Sequence, residues 1–343
     1  MIDFPVLLGD IGGTNARFAV LSAPHVPTIS LPRTFTAAHA DPAEAMRAAL
    51  HGQACPRPRS ALIAVATRVD NPVVRLTNAA WTIDAAAIGA ALDLSRVVLV
   101  NDYVPVAVSL DRFRTFGADL TRLGPERSNG PGAKLVLGPG TGLGAAALLP
   151  LGERWAVQPT EAGHVEFGPS NDVEMALWPM IERVGGRITA ETLLSGPGLL
   201  RLYRACARSR GQVPLCSTPE DVTEAGMAGE RLAADTLRLF ARLLGRFAGD
   251  LALVFGATGG VFIGGGIAPT IATFLATADF RAAFEDKTPF ASVMGAIATS
   301  IIMHPEPALV GLAAIASHPD RFIFDHQGWV AGLERPSAQG NVP

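Results

Sequence analysis

LLGDIGGTNAR, residues 7–17, decides how this chain is read. An apolar run ends in Gly9-Asp10 and is followed by Gly12-Gly13-Thr14-Asn15. The pattern predicts a buried strand that turns sharply into a glycine-rich hairpin. Two adjacent glycines let backbone N–H groups approach a phosphate with no Cβ in the way. Asp10 stands where a carboxylate could hold Mg²⁺ or its waters, and Thr14 offers a hydroxyl to the same oxyanion. No Gly-Lys-Ser/Thr follows, so this is not a Walker loop, and the stretch lacks the Gly-x-Gly-x-x-Gly of dinucleotide sites. On turn chemistry alone, a tight β-turn with a capping Asp fits the same letters.

The same chemistry recurs. LVLGPGTGLGAAA (135–147) is again an apolar run ending in glycines around a threonine: Gly138, Gly140, Thr141, Gly142 and Gly144. A third cluster, GATGGVFIGGGIAP (256–269), holds Gly259, Gly260, Gly264, Gly265 and Gly266. Two strand–Gly–Thr hairpins and a later glycine turn match an ATP clamp. The hairpins grip the phosphates and the third turn makes room for adenosine.

With these segments the chain resembles the bacterial glucokinases of the ATP-dependent, non-ROK type, within the hexokinase/actin-like ATPase superfamily. LTNAAW (76–81), VLVNDY (98–103), EAGHVEFGP (161–169), LLSGPGLLRLYRA (193–205) and FRAAFEDK (280–287) also match, in the family's order, between about Leu7 and Ala314. The resemblance implies an α/β fold of two actin-like (ribonuclease H-like) domains flanking a cleft. Residues 1–112 plus about 302–330 would form the small domain and 113–301 the large one, with 331–343 as a tail. It implies Mg·ATP as phosphoryl donor, D-glucose as acceptor, a homodimer, and a final helix that returns to the first domain.

The resemblance also assigns roles. Asp102, at the end of the strand-like RVVLVND, matches the family's catalytic base, and Asn101 a sugar ligand. The carboxyl ends of strands are where α/β sheets place ligands, and an Asp there can accept a hydroxyl proton. From spacing alone, Asp102 fits equally well as a helix cap. Glu161, His164 and Glu191 match the glucose ligands, whereas Glu166 receives no role and reads as loop or surface. Asp10, Gly12, Gly13, Thr14 and Asn15, then Gly138, Gly140, Thr141 and Gly142, then Gly264, Gly265 and Gly266 would hold ATP, with Asp10 serving Mg²⁺. Three carboxylates and an amide suit a neutral polyol and repel an anionic one. Another hexose, such as mannose or fructose, is the nearest alternative acceptor. An actin-like structural ATPase gives no reason for the Glu161/His164/Glu191 cluster. A sugar-responsive DNA-binding regulator would need a helix-turn-helix extension, and the first hairpin begins within ten residues of Met1.

Composition sets the outer limits. At 343 residues the chain suits two domains, and 49% hydrophobic with 17% charged residues indicates a well-cored globular protein. A net charge of −3 without a basic run argues against a nucleic-acid partner. Cys55, Cys206 and Cys216 form no zinc pattern, unlike the structural zinc motif of ROK kinases, and an odd count fits a reducing cytoplasm. No basic segment leads into an apolar one at the N-terminus, so no signal peptide is expected. Residues 251–278 carry no charge, but their six glycines and Pro269 favour strand, turn and helix start over a membrane span.

The element pattern agrees. LLGDIG, ARFAVLS and a weaker piece near HVPTISLPRTFT predict consecutive antiparallel strands. DPAEAMRAALHG predicts a helix with Asp41 as N-cap, Pro42 in its first turn and Gly52 at its stop. SALIAVATRV and RVVLVND predict buried strands separated by the helix IDAAAIGAALDL, which indicates an α/β sheet. Residues 230–253 give the clearest helix, with Ala233, Leu237, Phe240, Leu244, Phe247 and Leu251 as its core stripe. IAPTIATFLAT is expected to start one further helix, and SNGPG (128–132) is the best boundary loop.

Overall fold

The computed structural model describes residues 2–76, 79–113, 118–124 and 130–332. The chain divides into two compact units, Met1–Arg112 with Glu306–Pro343, and Phe113–Pro305. The division falls at Arg112/Phe113, upstream of SNGPG, of which residues 128 and 129 lie outside the described residues. So do residues 77 and 78 of LTNAAW and most of the expected tail.

In the first unit, β1 (Val6–Ile11) and β2 (Asn15–Leu21) form the antiparallel hairpin, with Asp10 opposite Arg17. β3 (Ser60–Val65) pairs parallel to β1, and β4 (Arg96–Asn101) parallel to β3. The sheet order is β4-β3-β1-β2, with Gln327–Val330 added antiparallel outside β4. All six residues of β3 are buried, as expected of a central parallel strand covered on both faces. Parallel pairing requires crossovers. α1 (Pro42–Leu50) lies in the first, capped by the Asp41 side chain accepting the Glu44 N–H, with Gly52 at φ 71° beyond its end. α2 (Ala85–Leu92) lies in the second.

The HVPTISLPRTFT segment gives two separate two-residue strands, Ile29–Ser30 and Thr34–Phe35, both on β2. Pro27 and Pro32 flank the first and cannot donate to a ladder, so one longer strand does not form. After β4 comes α3 (Tyr103–Ser109), against which the helix Pro307–Ser317 packs so closely that a Cβ on Gly311 would collide with the Pro105 carbonyl.

The second unit repeats the plan. β5 (Lys134–Pro139) and β6 (Leu143–Leu151) form an antiparallel hairpin, followed in space by β8 (Val261–Ile263) and β9 (Thr299–Ile302), each parallel to its neighbour. β7 (Arg154–Thr160) extends the sheet beyond β6. The second unit's core is helical: α4 (Asp172–Leu177), α5 (Ala190–Leu193), α6 (Gly196–Ser209), α7 (Pro219–Met227) and the long α8 (Arg231–Phe255). The α8 stripe expected from its period is buried throughout. Residues 251–278 contain the end of α8, β8 and the glycine turn. Within the same stretch, IAPTIATFLAT (267–277) forms two one-turn helices, Ile267–Thr270 and Ala272–Leu275, in place of one. The break falls at Ile271, whose φ of −105° and ψ of 22° leave helical geometry next to β-branched Thr270. Among the described residues, no helix is long and apolar enough to cross a membrane.

Candidate active site

The sequence-predicted residues fall into two groups, one in each unit. In the first unit, the register sets Ile11, Val65 and Asn101 level at the carboxyl ends of β1, β3 and β4. Asp10 and Asp102 are therefore on the same sheet edge, with β3 between their strands. The Asp102 N–H donates to the Val65 carbonyl at 3.0 Å. Its side chain does not cap α3. Asn101 is engaged instead: Oδ1 accepts the Tyr103 N–H at 3.0 Å, and Nδ2 donates to the Thr67 carbonyl at 3.2 Å. One amide hydrogen of Asn101 is thus committed to backbone. Asp102 stands at the N-cap position of α3, but it is the Asn101 side chain, not that of Asp102, that accepts the first helical N–H.

Arg17 Nη1 donates to Asp10 Oδ2 at 3.1 Å across the hairpin. Burial pushes the Asp10 carboxyl above its ordinary value, and the Arg17 charge and hydrogen bond act against that rise. The Tyr103 phenol is also held far above its ordinary range, first by burial and then by the charges of Asp102 and Asp10. It stays neutral beside the two acids. The hairpin turn is fixed from within and outside. The Gly12 N–H donates to the Asn15 carbonyl at 2.9 Å. Thr36 donates its N–H to the Thr14 carbonyl at 3.1 Å and its Oγ1–H to the Gly13 carbonyl at 2.7 Å.

In the second unit, the Gly140 N–H donates to the Gly142 carbonyl at 2.8 Å, and the Gly196 N–H donates to the Gly140 carbonyl at 2.7 Å. The turn holding Thr141 is thereby tied to the start of α6. The Leu143 N–H donates to Glu191 Oε2 at 2.8 Å, and a Cβ added to Gly142 would stand 2.5 Å from that same oxygen. Glycine at 142 is what admits the carboxylate. His164 lies between two acids, Nε2 3.8 Å from Glu161 and Nδ1 4.0 Å from Glu191. Gly163 allows this loop onto the Leu143 carbonyl, where a Cβ would collide. Glu166 is on the surface, paired to Arg187.

The third glycine cluster meets the second hairpin. The Gly264 N–H donates to the Leu137 carbonyl at 2.8 Å. Gly265 has φ 76°, and a Cβ there would strike the Pro139 carbonyl. Gly138, opposite Gly144 on β5, stands next to Pro139. The structure thus brings Glu161, His164 and Glu191 together with the Gly140–Gly142 turn, and Gly264–Gly266 against the strand leading into it.

Arg17, Thr36 and Arg187 were not singled out by sequence. The hairpin register could have given Arg17, which faces Asp10. Thr36 carries no local signal. Among the described residues, no group of three or more His, Cys, Asp or Glu could hold a metal. A single carboxylate such as Asp10 is compatible with Mg²⁺, which keeps most of its waters and takes few protein carboxylates.

A mixed α/β chain with two sheets, each opening on a glycine hairpin, matches the actin-like sugar-kinase fold. Glucokinase from an Antarctic psychrotroph superposes with a TM-score of 0.78 at 29% identity, over 93% of this chain and 100% of that one. A ROK family glucokinase from Streptomyces griseus, solved with glucose and AMPPNP, shares the fold with a TM-score of 0.61 at 20% identity, over 90% of this chain and 98% of that one. The chain belongs to the glucokinase family: the family model described as Glucokinase matches residues 7–319. A glucokinase from Chelativorans sp. is 41% identical over 330 residues, covering 96% of each chain.

Proposed function

We propose that this chain is a glucokinase, transferring the γ-phosphoryl group of Mg·ATP to the 6-hydroxyl of D-glucose to give glucose 6-phosphate and ADP. The observation that carries the reading is the Glu161–His164–Glu191 cluster, joined through the Leu143 amide to the Gly140–Gly142 turn. In this reading the three side chains form a polyol ligand set and the turn receives phosphate. Carboxylates accept from pairs of sugar hydroxyls, and the imidazole can donate or accept. A set that is net negative favours an unphosphorylated sugar.

In this reading Asp102 accepts the proton of the attacking hydroxyl. Asp10 holds Mg²⁺ through its waters, and Mg²⁺, when bound, neutralises charge on the phosphate oxygens. Arg17 acts against the rise that burial imposes on the Asp10 carboxyl. The Gly12–Asn15, Gly138–Gly142 and Gly264–Gly266 backbones receive the nucleotide. The reading also takes the protein as a cytoplasmic homodimer with no nucleic-acid or membrane partner. The dimer rests on family likeness, and sedimentation measures it.

The deciding experiment is ADP release coupled to a readout, with ATP and, in turn, glucose, mannose, fructose and N-acetylglucosamine. Glucose should give the highest kcat/KM. Higher kcat/KM for mannose or fructose would replace the acceptor, and sugar-independent ADP release would overturn the kinase reading.

A further inference from the structure

Glu174 is a buried carboxylate that no sugar or nucleotide role absorbs; its side chain is 2% exposed. Oε2 accepts from the Ser170 N–H at 2.8 Å, the Ser170 hydroxyl at 3.1 Å and Arg246 Nη1 at 2.8 Å. Oε1 accepts from Asn171 Nδ2 at 3.1 Å and Arg242 Nη2 at 2.7 Å. Burial alone would raise this carboxyl. The Ser170 hydrogen bonds and the Arg246 and Arg242 charges outweigh that effect and hold it below the usual range.

The two arginines sit one turn apart on α8, but only Arg246 reaches further. Its Nη2 donates to the Gly168 carbonyl at 2.6 Å, and its guanidinium lies 4.1 Å from the centre of the Phe167 ring. Phe167 is buried edge-on against Phe247. Residues 167 and 168 end the loop that carries Glu161 and His164. The middle of that loop is held by Arg187, whose Nη2 donates to the His164 carbonyl at 3.2 Å. The loop is also held by the Phe167 N–H donating to the Ile188 carbonyl and the Ala190 N–H donating to the Val165 carbonyl, both at 3.0 Å. Those last bonds join the loop to the segment that leads into Glu191.

We infer that Arg246, fixed by Glu174, is a positioning residue for the Glu161/His164 loop. It rests on the reading of that loop as the sugar-binding element. A planar guanidinium can meet a carboxylate, a carbonyl and a ring face at once, which fixes the loop's exit in both distance and orientation. An interaction that only tied α4 to α8 would be served equally by Arg242, which shares the carboxylate and has no bond to the loop.

That difference is the test. Arg246→Met and Arg242→Met each remove one cation from Glu174. We expect Arg246→Met to raise the glucose KM about tenfold and leave the ATP KM within about twofold. It should also speed amide hydrogen exchange in residues 161–168 without any ligand. Arg242→Met should do neither. Arg246→Lys should fall between, since one ammonium cannot keep all three contacts. If Arg246→Met fails to fold, the Arg246→Lys and Arg242→Lys pair decides by the same comparison. Equal glucose KM increases in the 246 and 242 variants would overturn the inference, as would unchanged exchange in the loop. Faster exchange with an unchanged glucose KM would leave the loop anchor intact and sink the sugar-ligand reading on which its function rests.

Discussion

The carboxylate of Glu191 accepts the backbone N–H of Leu143 at 2.8 Å, with no room for a side chain at Gly142 beside it. One carboxylate therefore has an oxygen on the glycine turn while its other oxygen faces His164 at 4.0 Å. The proposed sugar and phosphate elements of the second unit are mechanically joined, and substitutions in the turn should separate the two proposed functions residue by residue.

Gly140→Ala and Gly142→Ala form the first contrast. A methyl at 140 meets nothing within 4 Å, so the fold should tolerate it, and any phosphate approaching the turn should feel it. The ATP KM should rise several-fold, about three- to tenfold, at unchanged glucose KM. A methyl at 142 displaces Glu191, so the glucose KM should rise by about tenfold or more. Steady-state kinetics with each substrate varied in turn will read both. The reverse pattern would contradict the assignment.

Asp102→Asn should bind glucose nearly as wild type while kcat drops about 10²- to 10⁴-fold, because the amide keeps the shape but accepts no proton. Calorimetry for binding and a single-turnover assay for chemistry separate the two. Retention of kcat within about threefold would remove Asp102 as the base.

Thr36→Val keeps the shape of a buried side chain and deletes the donor to the Gly13 carbonyl. Loss of one such bond costs about 1 kcal/mol. The cost should appear as a modestly raised ATP KM, about threefold, with glucose KM unchanged. An effect on glucose alone would show that the first hairpin does not serve the nucleotide.

Glu174→Gln tests a charge-dependent contribution to stability. The folded carboxyl lies below its ordinary value near 4.5, so its stabilisation is fully present above that pH and is lost as pH falls through the folded value. The glutamine variant lacks that term. Near neutral pH it should be less stable by about 3 kcal/mol, since two cations lose their partner. Its melting temperature should then fall less steeply than that of wild type as the pH drops below about 4.5. Parallel melting curves for the two proteins across that range would refute the assignment.

The hairpins, their glycines and the α8 stripe were legible because each is a local pattern: alternation, turn chemistry or a 3.6-residue period. The level of Asn101 with Ile11 depends on β3 lying between their strands, an order that no local pattern carries. Glu191 and Leu143, 48 residues apart, could not be paired from spacing. Neither could Glu174 and Arg246, 72 residues apart. In sequence, Glu174 looks like any acid near a helix start, and its burial is decided by α8 packing over it. Pro27 and Pro32 are breakers visible in the sequence, and they leave two short strands where one is expected. The two one-turn helices after Gly266 hinge on a single dihedral change at Ile271 that residue type does not dictate.

The collision a Cβ on Gly311 would make with the Pro105 carbonyl has a consequence for biosynthesis. Backbone-to-backbone contact joins α3, which follows Asp102, to a helix made some two hundred residues later. A chain leaving the ribosome N-terminus first completes residues 113–305 while the first unit still lacks its last helix. Domains generally fold as units during synthesis. The second unit thus has its whole sequence available first, and the segment carrying the proposed base acquires its final packing only after residues 307–317 have been made.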